Sequence, residues 1–275
     1  MTRPALAATQ RADYQGHRVP KNLTGAANLS HFLKNTKIIR RDRLRELKNR
    51  EHGYFDLEFI KALEPEHRSK CVDLLETSCS QVRQDVFALS RANYKRNGFF
   101  VEFGATNGVE LSNSYMLERD YGWTGILAEP AKGWHEDLRA NRSARIDTRC
   151  VWKESGETVN FVQTASAINS AISSFVKTSR KVRGRSYDVE TVSLNDLLTQ
   201  HDAPSVIDFI SIDTEGSEFD ILNALDFDRW SFHAMTVEHN YEPQREDVHA
   251  LLTSRGYRRV FETASRFDDW YVKDI

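Results

Sequence analysis

The chain has 275 residues, with 38 basic against 40 acidic side chains and a formal net charge of −2. That length can bury a sizeable core, and the charge balance gives no overall attraction to nucleic acid or to an acidic membrane. Its three cysteines lack close metal-ligand spacing, which argues against a disulfide framework or structural zinc site and favours a reduced cytoplasm. Because no apolar run approaches the roughly 18 residues of a membrane span and the N-terminus lacks the apolar segment of a signal peptide, we expect a soluble cytoplasmic protein.

The N-terminal region divides into a polar stretch and a basic one. Residues 1–35 are small, polar and aperiodic, and we predict a flexible segment there. In the basic segment 37–50, Ile39, Leu44 and Leu47 share a helical stripe beneath a basic face. We favour a solvated helix face, because helices routinely carry such charge. The alternative is peripheral contact with an anionic glycan, lipid head group or partner.

Two further helices are predicted before the first strand. One begins at Pro65, since proline suits the first turn of a helix. The next runs from Ser80, as N-cap, to Leu89, with apolar residues at helical spacing. Residues 36–92 are therefore assigned to a helical N-terminal extension, and residues 93–275 to the main domain.

From residue 93 onward, apolar segments typical of strands alternate with segments typical of helices. The predicted strands cover residues 99–103, 125–128, 147–151, 207–212, 234–237, 257–261 and 270–272, and the third has the weakest pattern. The predicted helices cover residues 111–119, 134–141, 219–225 and 243–255. This alternation predicts an α/β fold with a mostly parallel seven-stranded sheet and helices on both faces, ending in an antiparallel hairpin.

The turn after the first strand and the acid after the second carry the clearest functional signal. Glu102 stands near the end of the first strand. The turn that follows consists of Gly104, Ala105, Thr106, Asn107 and Gly108. Its glycines let the backbone turn tightly and approach a ligand closely. Glu129 follows the second strand, where a carboxylate can accept hydrogen bonds from both hydroxyls of a ribose, so the two features predict a nucleoside-binding site.

The charge of this turn favours S-adenosylmethionine over a dinucleotide. The turn lacks the third glycine of the Gly-x-Gly-x-x-Gly fingerprint, and Glu102 would repel a diphosphate. S-adenosylmethionine instead carries a sulfonium and an ammonium group, which carboxylates attract. Two alternatives stay open: an NAD(P)-dependent oxidoreductase with a Rossmann core, and a catalytically silent ligand-binding or scaffold protein.

Further motifs accompany the glycine turn. They are Ser112-Asn113-Ser114-Tyr115, Gly122-Trp123-Thr124-Gly125, Glu129-Pro130, Ser173-Ser174, the run from Ile207 to Glu218, and Glu238-His239-Asn240. Together, from about Ser80 to the C-terminus, they resemble the FkbM family of S-adenosylmethionine-dependent O-methyltransferases. The resemblance implies a Rossmann-like class I methyltransferase core and an acceptor hydroxyl on a sugar, polyketide or related natural product. It also implies that the helix before strand one places Gln81, Gln84 or Asp85 near the donor, although capping and surface roles are as well supported.

We expect the donor site at the carboxyl ends of the parallel strands. The glycine turn would support the amino-acid part of the donor, with Glu102 or Asp213 facing its ammonium group, and Asn113 is counted among the donor-binding residues. Where many methyltransferases have an acid for the adenine amino group, this chain has Trp152. Trp152 either stacks on the adenine or is a core tryptophan.

His239, just past the fifth predicted strand, is the leading candidate for a general base that takes the proton of the acceptor hydroxyl. Asp213 and Glu238 end neighbouring strands and are further catalytic candidates. The same three residues are predicted to hold Mg²⁺ or another divalent cation. The alternatives are a structural histidine bonded to backbone, and a helix-capping role for Asp213 and Glu215.

The acceptor is predicted to be a small molecule or glycan and not a nucleic acid. A phosphorylated or lipid-linked acceptor is one form of this prediction. Segment 166–188 is polar and contains the basic run 180–185, which is typical of a mobile lid that meets an acceptor phosphate or carboxylate. A solvated basic loop is the alternative. The predicted function is thus methylation of a hydroxyl on a sugar of a polysaccharide, glycolipid or natural product.

Overall fold

The computed structural model describes residues 41–164, 171–172 and 184–274. The chain divides into two units, residues 1–49 and 50–275. In the described ranges, no helix combines the length and apolar character that a membrane span requires. The sheets and the candidate site belong to the second unit.

A seven-stranded sheet forms the centre of this unit. In spatial order its strands are β10 (Arg258–Val260), β11 (Asp268–Val272), β9 (Ser231–Glu238), β8 (Val206–Ile212), β1 (Phe99–Phe103), β2 (Thr124–Ala128) and β3 (Arg145–Asp147). Six strands run parallel and β11 is antiparallel to both neighbours, so the predicted sheet and terminal hairpin are confirmed. The chain moves outward from β1 to β3 and returns to β8 on the other side of β1, which places a topological switch point between β1 and β8.

Helices cover both faces of the sheet, as predicted. They are α1 (Arg41–Ala62), α2 (Pro65–Leu74), α3 (Gln84–Arg91), α4 (Tyr115–Tyr121), α5 (His135–Asn141), α6 (Leu194–Gln200), α7 (Glu218–Asn223) and α8 (Arg245–Ser254), with a short 3₁₀ turn at Lys132–Trp134. The predicted helix start at Pro65 is confirmed. In the basic segment, residues 41–50 are helical and mostly solvent-exposed, whereas Ile39 lies outside the described residues.

The alternation of side chains along each strand divides the core into two layers. Val101 and Phe103 face one layer, which α6, α7 and α8 complete. Phe100 faces the other layer, which contains side chains of α2 to α5 and of α1 from residue 50 onward. There the ring of Phe87 on α3 stacks on Trp270 of β11, with ring centroids 4.7 Å apart. The helices before β1 therefore share the core of the sheet.

Two predicted helices begin later than expected because of their backbone. Ser80 is not an N-cap: α3 begins at Gln84, after Arg83, whose φ of 73° is left-handed and incompatible with a helix. Ser80 instead donates a hydrogen bond from Oγ to Asp85 at 2.6 Å. Likewise, Leu111 has a φ of 62°, and the helix predicted to begin there begins at Tyr115.

A second, four-stranded sheet was not predicted from the sequence. Its strands, in the order β4, β7, β5, β6, are β4 (Cys150–Trp152), β7 (Gly184–Ser193), β5 (Thr158–Thr164) and β6 (Ala171–Ile172). The strand predicted at 147–151 is in fact two short strands in different sheets. Of the segment predicted as a lid, residues 184–188 begin β7, while residues 166–170 and 173–183 lie outside the described residues.

Candidate active site

A cavity of about 570 Å³, including space open to solvent, lies at the switch point between β1 and β8. Its lining residues come from the ends of β1, β2 and β8 and from the second sheet: Phe103, Gly104, Thr106, Ala128, Glu129, Pro130, Cys150, Val151, Phe161, Ile172, Asp213, Thr214, Glu215 and Ser217. Ligands of doubly wound folds bind at this position.

The charge of the cavity is one-sided. Glu129, Asp213 and Glu215 are acidic, and none of the described residues that line it is basic. Such a lining attracts a cation and repels a diphosphate, because no positive group offsets the acids. The residues therefore fit a cationic nucleoside such as S-adenosylmethionine.

Gly104 allows the ends of β1 and β8 to approach closely. Its φ is +70°, and a Cβ at this position would lie 2.7 Å from the carbonyl oxygen of Asp213. Any larger residue would push the turn away from β8. The next left-handed residue, Thr106 with φ 47°, turns its backbone N–H toward Glu129. The turn thus joins the predicted donor residues of β1, β2 and β8.

Glu129 is held in place by backbone groups. One carboxylate oxygen accepts a hydrogen bond from Thr106 N at 2.8 Å and the other from Ala131 N at 2.7 Å. A carboxylate has about four acceptor positions, so each oxygen can still accept a ligand hydroxyl. Burial raises the pKa of Glu129 to about 7, although the two backbone hydrogen bonds oppose that shift. The fixed, buried acceptor fits the two hydroxyls of a ribose.

Three carboxyl groups meet beside the cavity. Carboxylate oxygens of Asp213, Glu215 and Glu238 lie within 4.8 Å of one another, and the side chains of Asp213 and Glu238 are hydrogen-bonded. Burial, followed by the charge of Glu215, raises the pKa of Asp213. Burial, followed by the charge of Asp213, raises the pKa of Glu238. Two carboxyl groups so close must hold a proton or a cation between them.

Glu102 is predicted to face the donor, but its carboxylate is hydrogen-bonded within the protein instead. Its carboxylate accepts hydrogen bonds from Asn113 N at 2.7 Å, from Ser112 Oγ at 3.0 Å and from Ser114 Oγ. The guanidinium of Arg142 lies 3.8 Å away, and both side chains are almost fully buried. Glu102 does not line the cavity, so Asp213 is the acid of the predicted pair that faces it.

His239 also lies away from the cavity lining. Its Nδ1 accepts a hydrogen bond from Tyr241 N at 2.9 Å, and its buried Nε2 lies 3.8 Å from Asp269. Asp269 is already bound by Arg245 and Arg259. The backbone hydrogen bond to Nδ1 fits the structural interpretation of His239, while its Nε2 has no hydrogen-bond partner among the described residues. The described carboxyl cluster contains Asp213, Glu215 and Glu238 without it.

The comparison with known families decides which class this site belongs to. The sequence model of the Methyltransferase FkbM domain matches residues 102–259, more than half of the chain. This protein belongs to the FkbM methyltransferase family. It is accordingly an S-adenosylmethionine-dependent methyltransferase, and the oxidoreductase alternative is set aside.

Three solved structures are among those similar to this FkbM protein. Precorrin-6y C5,15-methyltransferase from Geobacter metallireducens GS-15 is 11% identical over 64% of this chain and 70% of that one, with a TM-score of 0.38. The fibrillarin/Nop5p complex is 10% identical over 65% and 73%, with a TM-score of 0.33. MtNAS in complex with MTA and tNA is 11% identical over 82% and 70%, with a TM-score of 0.34. No curated protein matches the FkbM chain significantly.

The remaining predicted donor residues occupy supporting positions. Asn107 caps its own turn, because its Oδ1 accepts from the backbone of residues 109 and 110. Ala105 is buried in the core, and Asn113 donates from Nδ2 to Ser211 Oγ at 2.8 Å. A Cβ on Gly108 would lie 2.6 Å from the side chain of Arg142. Trp152 is partly buried, packs against the small core under the second sheet and does not line the cavity.

The helix before β1 does not reach the cavity either. Gln84 donates from Nε2 to Asp268 at 2.7 Å, and Asp85 accepts from Ser78 and Ser80. Neither Gln84 nor Asp85 lines the cavity. Both residues fix the loop that precedes α3.

Sequence reasoning missed the apolar wall of the cavity. Phe161 on β5 and Ile172 on β6 form this wall together with Val151. Phe161 and Val159 alternate with polar residues, as do Tyr187 and Val189 on the partner strand β7. This alternation, with a period of two residues, is the sequence signal from which these strands could have been predicted.

Substitution of Arg142 by methionine tests the assignment of Glu102. The change removes the cation beside the buried Glu102 carboxylate and also its ion pair with Glu118, so we expect the free energy of unfolding to fall by about 3 kcal/mol. The matched control is Arg139→Met, at an exposed position on α5, which should change stability by less than about 0.5 kcal/mol. Equal denaturation midpoints for the two variants would show that Glu102 needs no buried partner.

Proposed function

We propose that this FkbM protein transfers the methyl group of S-adenosylmethionine to a hydroxyl, on a sugar of a polysaccharide, glycolipid or natural product. The observation that carries the proposal is an acidic cavity at the switch point, with Glu129 fixed in its lining and a carboxyl pair beside it. The hydroxyl and the sugar come from the family resemblance. We further propose a cytoplasmic location, with residues 93–275 as the methyltransferase domain.

The donor is held through three kinds of contact. Glu129 accepts hydrogen bonds from the ribose hydroxyls, and Asp213 with Glu215 faces the ammonium group. Phe161 and Ile172 supply apolar contact to the adenine. When bound, S-adenosylmethionine supplies a methyl group on a positively charged sulfur, which is a good leaving group. The chain itself positions the acceptor oxygen, which is where most of the rate gain can arise.

An acceptor alcohol must also lose its proton. The Asp213 and Glu238 pair lies beside the cavity and can accept a proton when it is ionised, whereas Nδ1 of His239 is bound by Tyr241 N and Nε2 is buried near Asp269. A cation bound at the acidic cluster favours the ionised form of the pair. We therefore assign proton removal to the Asp213 and Glu238 pair, with His239 as the residue that shapes the following turn.

A divalent cation is the second way to activate the hydroxyl. Carboxylate oxygens suit Mg²⁺, and Asp213, Glu215 and Glu238 are close enough to share one. A bound cation would lower the pKa of an acceptor hydroxyl directly. Activation by a bound cation requires metal, whereas proton removal by the Asp213 and Glu238 pair does not.

Substitution of Glu129 by glutamine tests donor binding. The amide cannot accept both backbone hydrogen bonds and both ribose hydroxyls, so calorimetry should show S-adenosylhomocysteine binding at least about tenfold more weakly. Wild-type affinity should also fall as the pH drops below about 7, because protonation of Glu129 removes an acceptor position.

The matched control is Glu136→Gln, an exposed glutamate on α5. It should bind S-adenosylhomocysteine as the wild type does, with the same pH dependence. Unchanged affinity in Glu129→Gln would exclude Glu129 from the donor site.

The acceptor is tested with S-adenosylmethionine labelled in its methyl group and a panel of glycans, glycolipids and hydroxylated natural products. We expect label in a methyl ether that resists mild base. Label on nitrogen or carbon would contradict O-methylation, and donor binding without transfer to any acceptor would support the silent-protein alternative.

The same assay with a chelator separates the two modes of activation. Full activity after removal of divalent cations would exclude the metal version. Loss of activity that Mg²⁺ restores would instead place the cation in the mechanism.

A further inference from the structure

The turn that follows β9 presents an exposed aromatic ring three residues after Glu238, a member of the carboxyl cluster. Residues 239–242 come directly after Glu238, whose carboxylate lies within 4.8 Å of two acids that line the cavity. The neighbouring strand β8 ends at the same edge of the sheet, because β8 and β9 are parallel and adjacent. The turn therefore lies at the same edge of the sheet as the cavity.

The backbone of this turn is strained and well fixed. Asn240 has a φ of 45° and Tyr241 a φ of 60°. Asparagine tolerates this left-handed region, but two consecutive residues there, one of them an aromatic, are uncommon. Strain of this kind persists only where the surroundings enforce it, and it is concentrated at functional sites.

Four hydrogen bonds enforce the turn. His239 N and Asn240 N both donate to the carbonyl of Phe267, at 2.8 and 3.2 Å. Tyr241 N donates to His239 Nδ1 at 2.9 Å, and Glu242 N donates to the carbonyl of His239 at 2.7 Å. The buried imidazole thus fixes the position of residue 241.

What this rigid turn exposes is the ring of Tyr241. The residue is 71% exposed, more than the other exposed large apolar side chains of the described ranges. Its ring stands edge-to-face on His239, with centroids 5.2 Å apart and an interplanar angle of 77°. A large aromatic surface held rigidly in water favours a ligand that stacks on it, since little conformational freedom is lost on binding.

We propose that Tyr241 is an acceptor-positioning residue, whose ring stacks on the C–H face of the sugar ring that is methylated. The proposal rests on the proposed function, because it takes a sugar as the acceptor. Stacking would leave the hydroxyls at the rim of the sugar free to reach Glu238. His239 then acts through the turn, as a residue that positions Tyr241.

The test uses a panel of methyl pyranosides as probes and saturation-transfer NMR on the full chain in the presence of S-adenosylhomocysteine. Tyr241→Asn removes the ring and keeps a residue that tolerates left-handed backbone. We expect at least one pyranoside to bind the wild type through its C–H protons, and about tenfold weaker binding to Tyr241→Asn. Tyr241→Phe should bind normally, because the ring makes the contact.

Tyr54→Ala is the matched control, since Tyr54 is a 57% exposed aromatic on α1. It should bind pyranosides as the wild type does. Equal binding by Tyr241→Asn and the wild type, or no binding of any pyranoside to the wild type, would overturn the proposal.

Calorimetry with S-adenosylhomocysteine on the same samples separates this proposal from the proposed function. Normal donor binding with no pyranoside binding overturns the role of Tyr241 alone. Absence of donor binding in the wild type would overturn the proposed function itself.

Discussion

The close contact between the ends of β1 and β8 is the constraint on which the site depends. A glycine with left-handed backbone at position 104 lets the first turn pass directly over the carbonyl of Asp213. That contact brings the acid after β2 and the acids after β8 to a single cavity, with Glu238 at the end of β9 beside it. Removing these acids from water is costly unless a partner neutralises them, so the fold itself creates a preference for a cationic ligand.

Other buried carboxylates in the same region accept hydrogen bonds from groups of the protein itself. Glu102 has hydroxyl and backbone donors and the guanidinium of Arg142 nearby. Glu218 accepts from Thr214 and Gly216, which order the loop after β8. The cluster of Asp213, Glu215 and Glu238 has raised pKa values for two of its members, as burial and mutual repulsion dictate. Burial also raises the pKa of Glu218, so what distinguishes the cluster is the like charge that its members add to one another.

The sequence predicts the central sheet well because its signals are local. Phe99 to Phe103 is a short apolar run before a glycine turn, and its predicted bounds are those of β1. Glu129 and Asp213 could be placed in the cavity because each follows a parallel strand. Glu102 could not be distinguished from them, since its partner Arg142 lies 40 residues away in the chain.

The second sheet and the role of His239 depend on longer-range contacts. The strand β5 is half polar, and it is stabilised by pairing with β7 rather than by an apolar run. His239 has the spacing of a catalytic base, but its nitrogens are turned to Tyr241 and Asp269. The most direct test of the donor site is a crystal structure with S-adenosylhomocysteine. We expect ribose hydroxyls on the carboxylate of Glu129 and the amino group near Asp213, whereas a ligand bound elsewhere would contradict this site.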